Sequence, residues 1–291
     1  MKILNFGSLN IDRVYKLPHL VENGETLSSS SFQKYAGGKG LNQSIALSRA
    51  GSNVYHAGKI GEDGDFLIQS LVSDNINVDA INKTKGITGH AIIQVDAKGN
   101  NSIFLYGGEN QTITTSFIKE VFENFNSGYL LVLQNEISHL DYIIDLASKK
   151  QLMIALNPSP MNENIEGIDL NKVDFLFLNE IEGRILSGEK ETHKILKKLI
   201  SYYPDLKIII TLGVNGAVYK DKNQEYRQRA INTKVIDTTG AGDTFLGYFL
   251  SMFFQKKTVE ESLLIASKAS SLSISKKGGT SSIPKIDSIL T

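Results

Sequence analysis

Asp237-Thr-Thr-Gly-Ala-Gly-Asp-Thr-Phe245 sets two glycines around an alanine, follows them with a carboxylate and runs into the apolar stretch 245–254. The pattern predicts a loop opening a buried helix, with Asp243 in or just before the first turn. Backbone N–H groups at a helix start lack partners and the helix dipole is positive there, so the place attracts anions. Gly240, Ala241 and Gly242 would present those groups to phosphate oxygens, while the Asp243 carboxylate beside them takes a hydroxyl proton. That is the minimal equipment for phosphoryl transfer, which is mostly positioning and charge stabilisation. The same residues also make an ordinary glycine turn with an N-cap aspartate, and the segment alone does not choose.

Other polar clusters stand where short apolar runs end. Asn10 and Asp12 follow the first run, at a strand's carboxyl end, and their donors and acceptors suit vicinal hydroxyls; an Asx turn is the alternative. Gly37-Gly-Lys-Gly-Leu-Asn42 lets backbone N–H groups approach a ligand, or is a turn with Asn42 as a helix cap. It has neither the Walker A spacing nor G-x-G-x-x-G. Asn179-Glu-Ile-Glu182 offers a carboxylate for magnesium held through water, though a capping box has the same spelling. Glu136 ends the run after Tyr129, and Thr211-Leu-Gly-Val-Asn-Gly216 ends another. The five histidines show no metal-ligand spacing, cysteine is absent, and no G-x-S-x-G occurs, so hydrolase readings fall away.

The Gly37–Asn42 and Asp237–Phe245 segments occur together in the order and spacing of the ribokinase-type (PfkB) carbohydrate kinases, and the chain resembles that family along nearly its whole length. The resemblance implies a three-layer α/β sandwich with a mostly parallel central sheet and a small β lid that often doubles as a dimer clasp. It implies an ATP-dependent kinase acting on the primary hydroxyl of a small sugar, D-ribose O5, with Asp243 as general base. Gly38, Lys39, Asn42 and Glu136 match positions at the sugar, beside Asn10 and Asp12. Asn179, Thr211, Gly213, Gly216, Gly242 and Ser267 fall at the nucleotide, and Glu182 at magnesium. Asp237, Thr239, Ser273, Lys276, Gly278 and Ser282 match a monovalent-cation site for potassium, built largely from carbonyl oxygens. Three residues depart from the pattern: Asn135 replaces an apolar residue, Ser267 stands where an Asn or His often meets adenine, and Glu109 replaces a small one. A carboxylate at 109 would disfavour a phosphorylated ketohexose by charge. A nucleoside kinase of the same family stays open, as does a non-catalytic sugar or nucleotide sensor, against which an intact Asp243 argues.

The elements that must position these residues read as one domain over 1–291. Strand-length runs at Ile3–Phe6, Val54–Gly58, Tyr129–Leu133, Leu152–Leu156, Phe175–Leu178 and Lys207–Thr211 alternate with helical segments, among them 42–49, 65–75, 140–149 and 191–201. Such alternation argues for a mostly parallel sheet with helices on both faces. Two segments break it, about 11–36 and 88–107, the second a hairpin around Lys98-Gly-Asn100. They predict a small antiparallel subsheet, the lid, with homodimerisation through it. Lys plus Arg equal Asp plus Glu at 31 each, so no basic field points to nucleic acid or a membrane surface. The N-terminal run lacks a signal-peptide core, and the expected location is cytoplasmic.

Overall fold

Leucine, isoleucine and valine runs too short for helices pair as strands in the computed structural model, which describes residues 2–162, 165 and 167–290. Met1 and Thr291, the ends of the expected span, lie outside them. The strands are β1 (Lys2–Phe6), β2 (Asn10–Lys16), β3 (Ser31–Gly37), β4 (Asn53–Ile60), β5 (Asn77–Lys83), β6 (Gly89–Val95) and β7 (Asn101–Tyr106). Then come β8 (Tyr129–Gln134), β9 (Met153–Asn157), β10 (Phe175–Asn179), β11 (Lys207–Thr211), β12 (Ala217–Lys220) and β13 (Glu225–Gln228). The principal helices are α1 (Lys39–Arg49), α2 (Asp65–Ser73), α3 (Thr115–Glu123), α4 (Leu140–Lys149), α5 (Glu180–Ser187), α6 (Thr192–Tyr202), α7 (Ala241–Phe254) and α8 (Val259–Ile274).

Nine strands form the main sheet in the order β13-β12-β11-β10-β9-β8-β1-β4-β5, parallel from β11 to β5, with the β12–β13 ribbon antiparallel at one edge. Successive side chains of a strand face opposite layers. On β10, Phe175 and Phe177 enter the core shared with α1, α2, α7 and α8, while Leu176 and Leu178 enter the core beneath α3, α4 and α6. With both faces covered, the strands read as continuous apolar runs. On α7, Phe249 is fully buried and stacks on Phe245 and Phe253; such a ring contributes on the order of 1.5–3 kcal/mol by burial alone. The two site-bearing helices nearly touch: a Cβ on Gly247 of α7 would fall 2.5 Å from the Ala46 Cβ of α1.

The remaining strands form a separate sheet, β3-β2-β6-β7. β2 and β6 run parallel, pairing Asn10 with Gly89 through Lys16 with Val95, so this sheet is mixed and not antiparallel as expected. β2 follows β1 and β6 follows β5, and β1 and β5 point the same way in the main sheet, so both segments enter the small sheet in one direction. The β6–β7 hairpin does close around Lys98–Asn100, with the Asp96 carboxylate accepting from both N–H groups at 2.8 Å. A further departure concerns α1, which begins at Lys39. Gly38, at φ 93°, bends the chain, and the Asn42 N–H already donates to Gly38 O at 3.0 Å. Asn42 therefore lies inside the first turn and is not the cap.

Candidate active site

The main sheet changes winding direction between β1 and β8: from β1 the chain moves to β4 and β5, and from β8 it moves the other way to β11. Open parallel sheets bind ligands at the carboxyl ends beside such a switch. Ser8 follows β1, Glu136 follows β8, Asn157 ends β9, Asn179 ends β10 and Thr211 ends β11. The N-termini of α1 and α7 face the same crevice, where a cavity of about 290 Å³ is lined by Lys39, Asn179, Glu182, Thr211, Gly240, Ala241, Gly242 and Asp243.

Gly240, in the left-handed region at φ 73°, opens α7 without a side-chain cap. The first intrahelical bond runs from the Thr244 N–H to Gly240 O at 2.8 Å. Ala241 turns its N–H back to Thr238 O at 3.2 Å, so the donors left over in the first turn are those of Gly242 and Asp243. The Asp243 side chain is buried, and each oxygen takes an amide donor from α1: Asn42 Nδ2 at 3.1 Å and Gln43 Nε2 at 2.9 Å. A carboxylate so held keeps one orientation while lone pairs remain for an incoming hydroxyl.

A second cluster adjoins the first through Lys39. The Glu136 carboxylate accepts from the Lys39 N–H at 2.9 Å and from the Ser8 hydroxyl, and Ser8 Oγ in turn accepts from the Gly40 N–H at 3.1 Å. Burial raises Glu136 above the ordinary range, against the pull of Lys39 and these donors. Asp12, on β2, is pushed up to about 7 by burial and then by the like charge of Glu136. Burial depresses Lys39, but Asp243, Glu136 and Glu182 together hold it above its usual value. That ammonium is the positive counterweight to all three carboxylates. Asn10 is buried and its Oδ1 accepts from Asn110 Nδ2 at 2.7 Å, while Asn110 Oδ1 accepts from the Leu9 N–H. Ser8, Gln43 and Asn110 were not singled out from sequence. Glu109 is buried, with its carboxylate accepting from the Thr112 hydroxyl of its own turn.

Towards the nucleotide positions, Asn179 and Glu182 form a capping box at the start of α5: Asn179 Oδ1 accepts from the Glu182 N–H, and Glu182 Oε2 from the Asn179 N–H, both at 2.9 Å. The capping-box reading holds, while Glu182 Oε1 stays outside the cap and the residue lines the cavity. A lone carboxylate of this kind fits a magnesium ion that keeps its waters. Beyond it, a smaller cavity of about 170 Å³ is lined by Thr211, Gly213, Gly216, Gly242 and Ser267. Gly216, at φ 93°, is set by packing, since a Cβ there would lie 2.0 Å from Gln228 O.

Behind α7, Asp237 joins two loops. Oδ1 accepts from the Thr239 N–H and hydroxyl at 2.9 and 2.7 Å, and Oδ2 from the Gly278 N–H at 3.0 Å. Burial raises this carboxyl, but those bonds outweigh it and hold it below the ordinary range. Ser273 and Ser282 are buried nearby in sequence context, the Ser282 hydroxyl donating to Gly279 O at 2.9 Å, whereas Lys276 is exposed and meets Ser273 only through its backbone N–H. A single carboxylate fits a singly charged ion better than a divalent one.

Residues 1–286 match the pfkB family carbohydrate kinases. The chain is 33% identical to a ribokinase of Staphylococcus aureus, covering 99% of this chain and 98% of the relative. It is 31% identical to a deoxyribokinase of Salmonella typhimurium, over 99% and 97% of the two chains. Its structure superposes on Arabidopsis thaliana ribokinase complexed with ribose and ATP with a TM-score of 0.88, at 28% identity and with 99% and 97% of the chains covered. The switch-point crevice, the glycine-opened helix and these likenesses agree: this chain belongs to the pfkB family of carbohydrate kinases.

Proposed function

We propose that the protein is an ATP-dependent kinase that transfers the γ-phosphoryl group of ATP to the primary hydroxyl, O5, of D-ribose. The observation that carries this reading is the Asp243 carboxylate, fixed by Asn42 and Gln43, in the same helical turn as free N–H groups that would receive phosphate oxygens. Asn10, Asp12, Lys39, Asn42 and Glu136 hold the sugar. Asp243 accepts the O5 proton as that oxygen attacks the γ-phosphorus in line; the bond to the bridging oxygen breaks and ADP leaves. Gly242 and Asp243 N–H groups and the Lys39 ammonium receive the developing charge, with Gly240 and Ala241 shaping the turn. Asn179, Thr211, Gly213, Gly216 and Ser267 take the nucleotide. Magnesium, held through water by Glu182, would neutralise phosphate charge when bound. Potassium, held by Asp237, Thr239 and the 273–282 segment, would order the loop before α7. The likeness to a deoxyribokinase makes deoxyribose the second candidate sugar.

The test is coupled ADP release over ribose, deoxyribose, fructose, fructose phosphates and nucleosides, with magnesium present and with potassium either present or replaced by a large organic cation. Ribose is expected to give the highest kcat/KM, and the potassium swap to lower kcat more than it raises the ATP KM. A fructose phosphate or a nucleoside leading the panel overturns the ribose assignment. Binding of ribose and ATP without ADP release would make the chain a sensor.

We further propose that residues 11–36 and 88–107 act as a lid over the sugar and as the surface where two copies meet. Phe32, Phe104, Leu105 and Tyr106 of the small sheet are about half exposed, and exposed strand edges invite pairing. Light scattering is expected to give twice the chain mass, falling to one chain in Phe104→Asp. A single-chain mass for the unaltered protein would dismiss the clasp.

A further inference from the structure

The Asp243 carboxylate is the end of a buried chain of amides whose direction is set far from it. Asn5, on β1, donates through Nδ2 to Gly40 O at 2.7 Å and to Ser44 Oγ at 2.8 Å. A carbonyl can only accept, so the Asn5 amide has one orientation and presents Oδ1 to Gln134. Gln134, at the end of β8, must therefore donate, and its Nε2 reaches Asn5 Oδ1 at 3.0 Å and Gln43 Oε1 at 2.7 Å. Gln43 is left with its amino group facing Asp243 Oδ1 at 2.9 Å and Asn157 Oδ1 at 3.3 Å. Asn157 is fixed independently, because its own Nδ2 donates to Phe177 O at 3.1 Å. At the far end, Ser44 hydrogen-bonds His56 Nδ1 at 2.8 Å, and burial holds that imidazole neutral by lowering its pKa to about 4.

The arrangement carries a cost. Gln134 Oε1 is buried without a hydrogen-bond partner, close against Gly7. Unpaired buried acceptors are uncommon and ask for an explanation. Here the orientation that strands this oxygen is the one that points the Gln43 amino group at the carboxylate.

We infer that Gln43 is a positioning residue for the Asp243 carboxylate, and that Gln134, which lines neither ligand cavity, sets the direction in which the Gln43 amide faces. This rests on Asp243 being the proton acceptor proposed above. With a free amide, Gln43 could turn its carbonyl oxygen towards Asp243 and push the carboxylate out of line.

The experiment is a kinetic double-mutant cycle with ribose and ATP. Gln43→Met is expected to lower kcat by about 10–100-fold, the usual worth of a hydrogen bond to a charged group, with both KM values within about 2-fold. Gln134→Glu, when ionised, cannot donate, so it should flip Gln43 and lower kcat to a similar extent with the same unchanged KM values. Gln134→Met gives the same comparison without burying a charge, should the glutamate variant misfold. In a Gln43→Met background neither change at 134 should lower kcat further, since the amide it redirects is gone. Losses that multiply, losses seen in KM, or a Gln43→Met enzyme within about 2-fold of the parent kcat would overturn the inference. Asp243→Asn run alongside separates the two readings: if it retains the rate, the base assignment itself fails; if it alone is impaired, only the role of Gln43 and Gln134 fails.

Discussion

Asp243→Asn is expected to lower kcat by about 10²–10⁴-fold, the usual worth of a general base, while ribose and ATP bind with near-normal affinity. The change keeps size and places an amide where Asn42 and Gln43 already donate. The new amino group would oppose Asn42 Nδ2, but Asn42 Oδ1 is buried without a partner, so rotation of that amide supplies an acceptor. The site should therefore stay assembled and lose only the proton acceptor. Isothermal titration with each substrate, beside steady-state rates, separates the outcomes. Joint loss of binding and turnover would assign Asp243 to structure, and a variant of near-full rate would end the mechanism. Asp237→Asn is the control, because it loosens the loop behind α7 and leaves the carboxylate at 243 in place.

Asp12→Asn should separate affinity from stability, with opposite signs. The folded Asp12 carboxyl is pushed up to about 7 from 3.8. Between those values the folded state keeps a proton that the unfolded chain has lost, so this group's contribution to stability falls as pH rises from 3.8 to about 7 and stays low above it. Asparagine carries no such penalty. The variant is expected to be more stable than the parent at pH ~8, on the order of 2–4 kcal/mol, and to lose that advantage near pH ~4. Its ribose KM should rise by about 10–100-fold, because a charged acceptor for sugar hydroxyls is gone. In the parent, kcat/KM for ribose should decline as pH drops through about 7, where Asp12 takes up its proton, and Glu136→Gln should move that decline to lower pH by removing the like charge. Thermal melts against pH, with rates over the same range, check both halves. An Asp12→Asn protein that is less stable at high pH, or that keeps its ribose KM, contradicts this account.

What could be read in the sequence was what chemistry writes locally. A glycine-opened helix with a carboxylate in its first turn is spelled within a few residues, as are the strand ends that carry Glu136, Asn179 and Thr211. Asn179 and Glu182 show the limit, since one spelling serves a cap and a cavity wall together. Contacts between distant residues leave no such trace. Gln43 and Asp243 are 200 positions apart, and Asn110 reaches Leu9 across 101. Buried glutamines and asparagines look, in sequence, like any polar residue near a strand end. The running direction of β6 against β2 was equally hidden, because it depends on β1 and β5 pointing the same way in the main sheet.

The close approach of Gly247 to Ala46 bears on how substrate capture relates to the chemical step. Lys39, Asn42 and Gln43 ride on one of those helices and Asp243 on the other, so these four residues keep their relative positions as a single block. The small sheet, which carries Asn10 and Asp12 on β2, joins that block through Gly38, between β3 and α1, and joins the main sheet through β1 and β5. As the lid proposed above, the small sheet would move Asn10 and Asp12 while the geometry among Lys39, Asn42, Gln43 and Asp243 stays constant. Substitutions in the small sheet would then change sugar capture without disturbing that geometry.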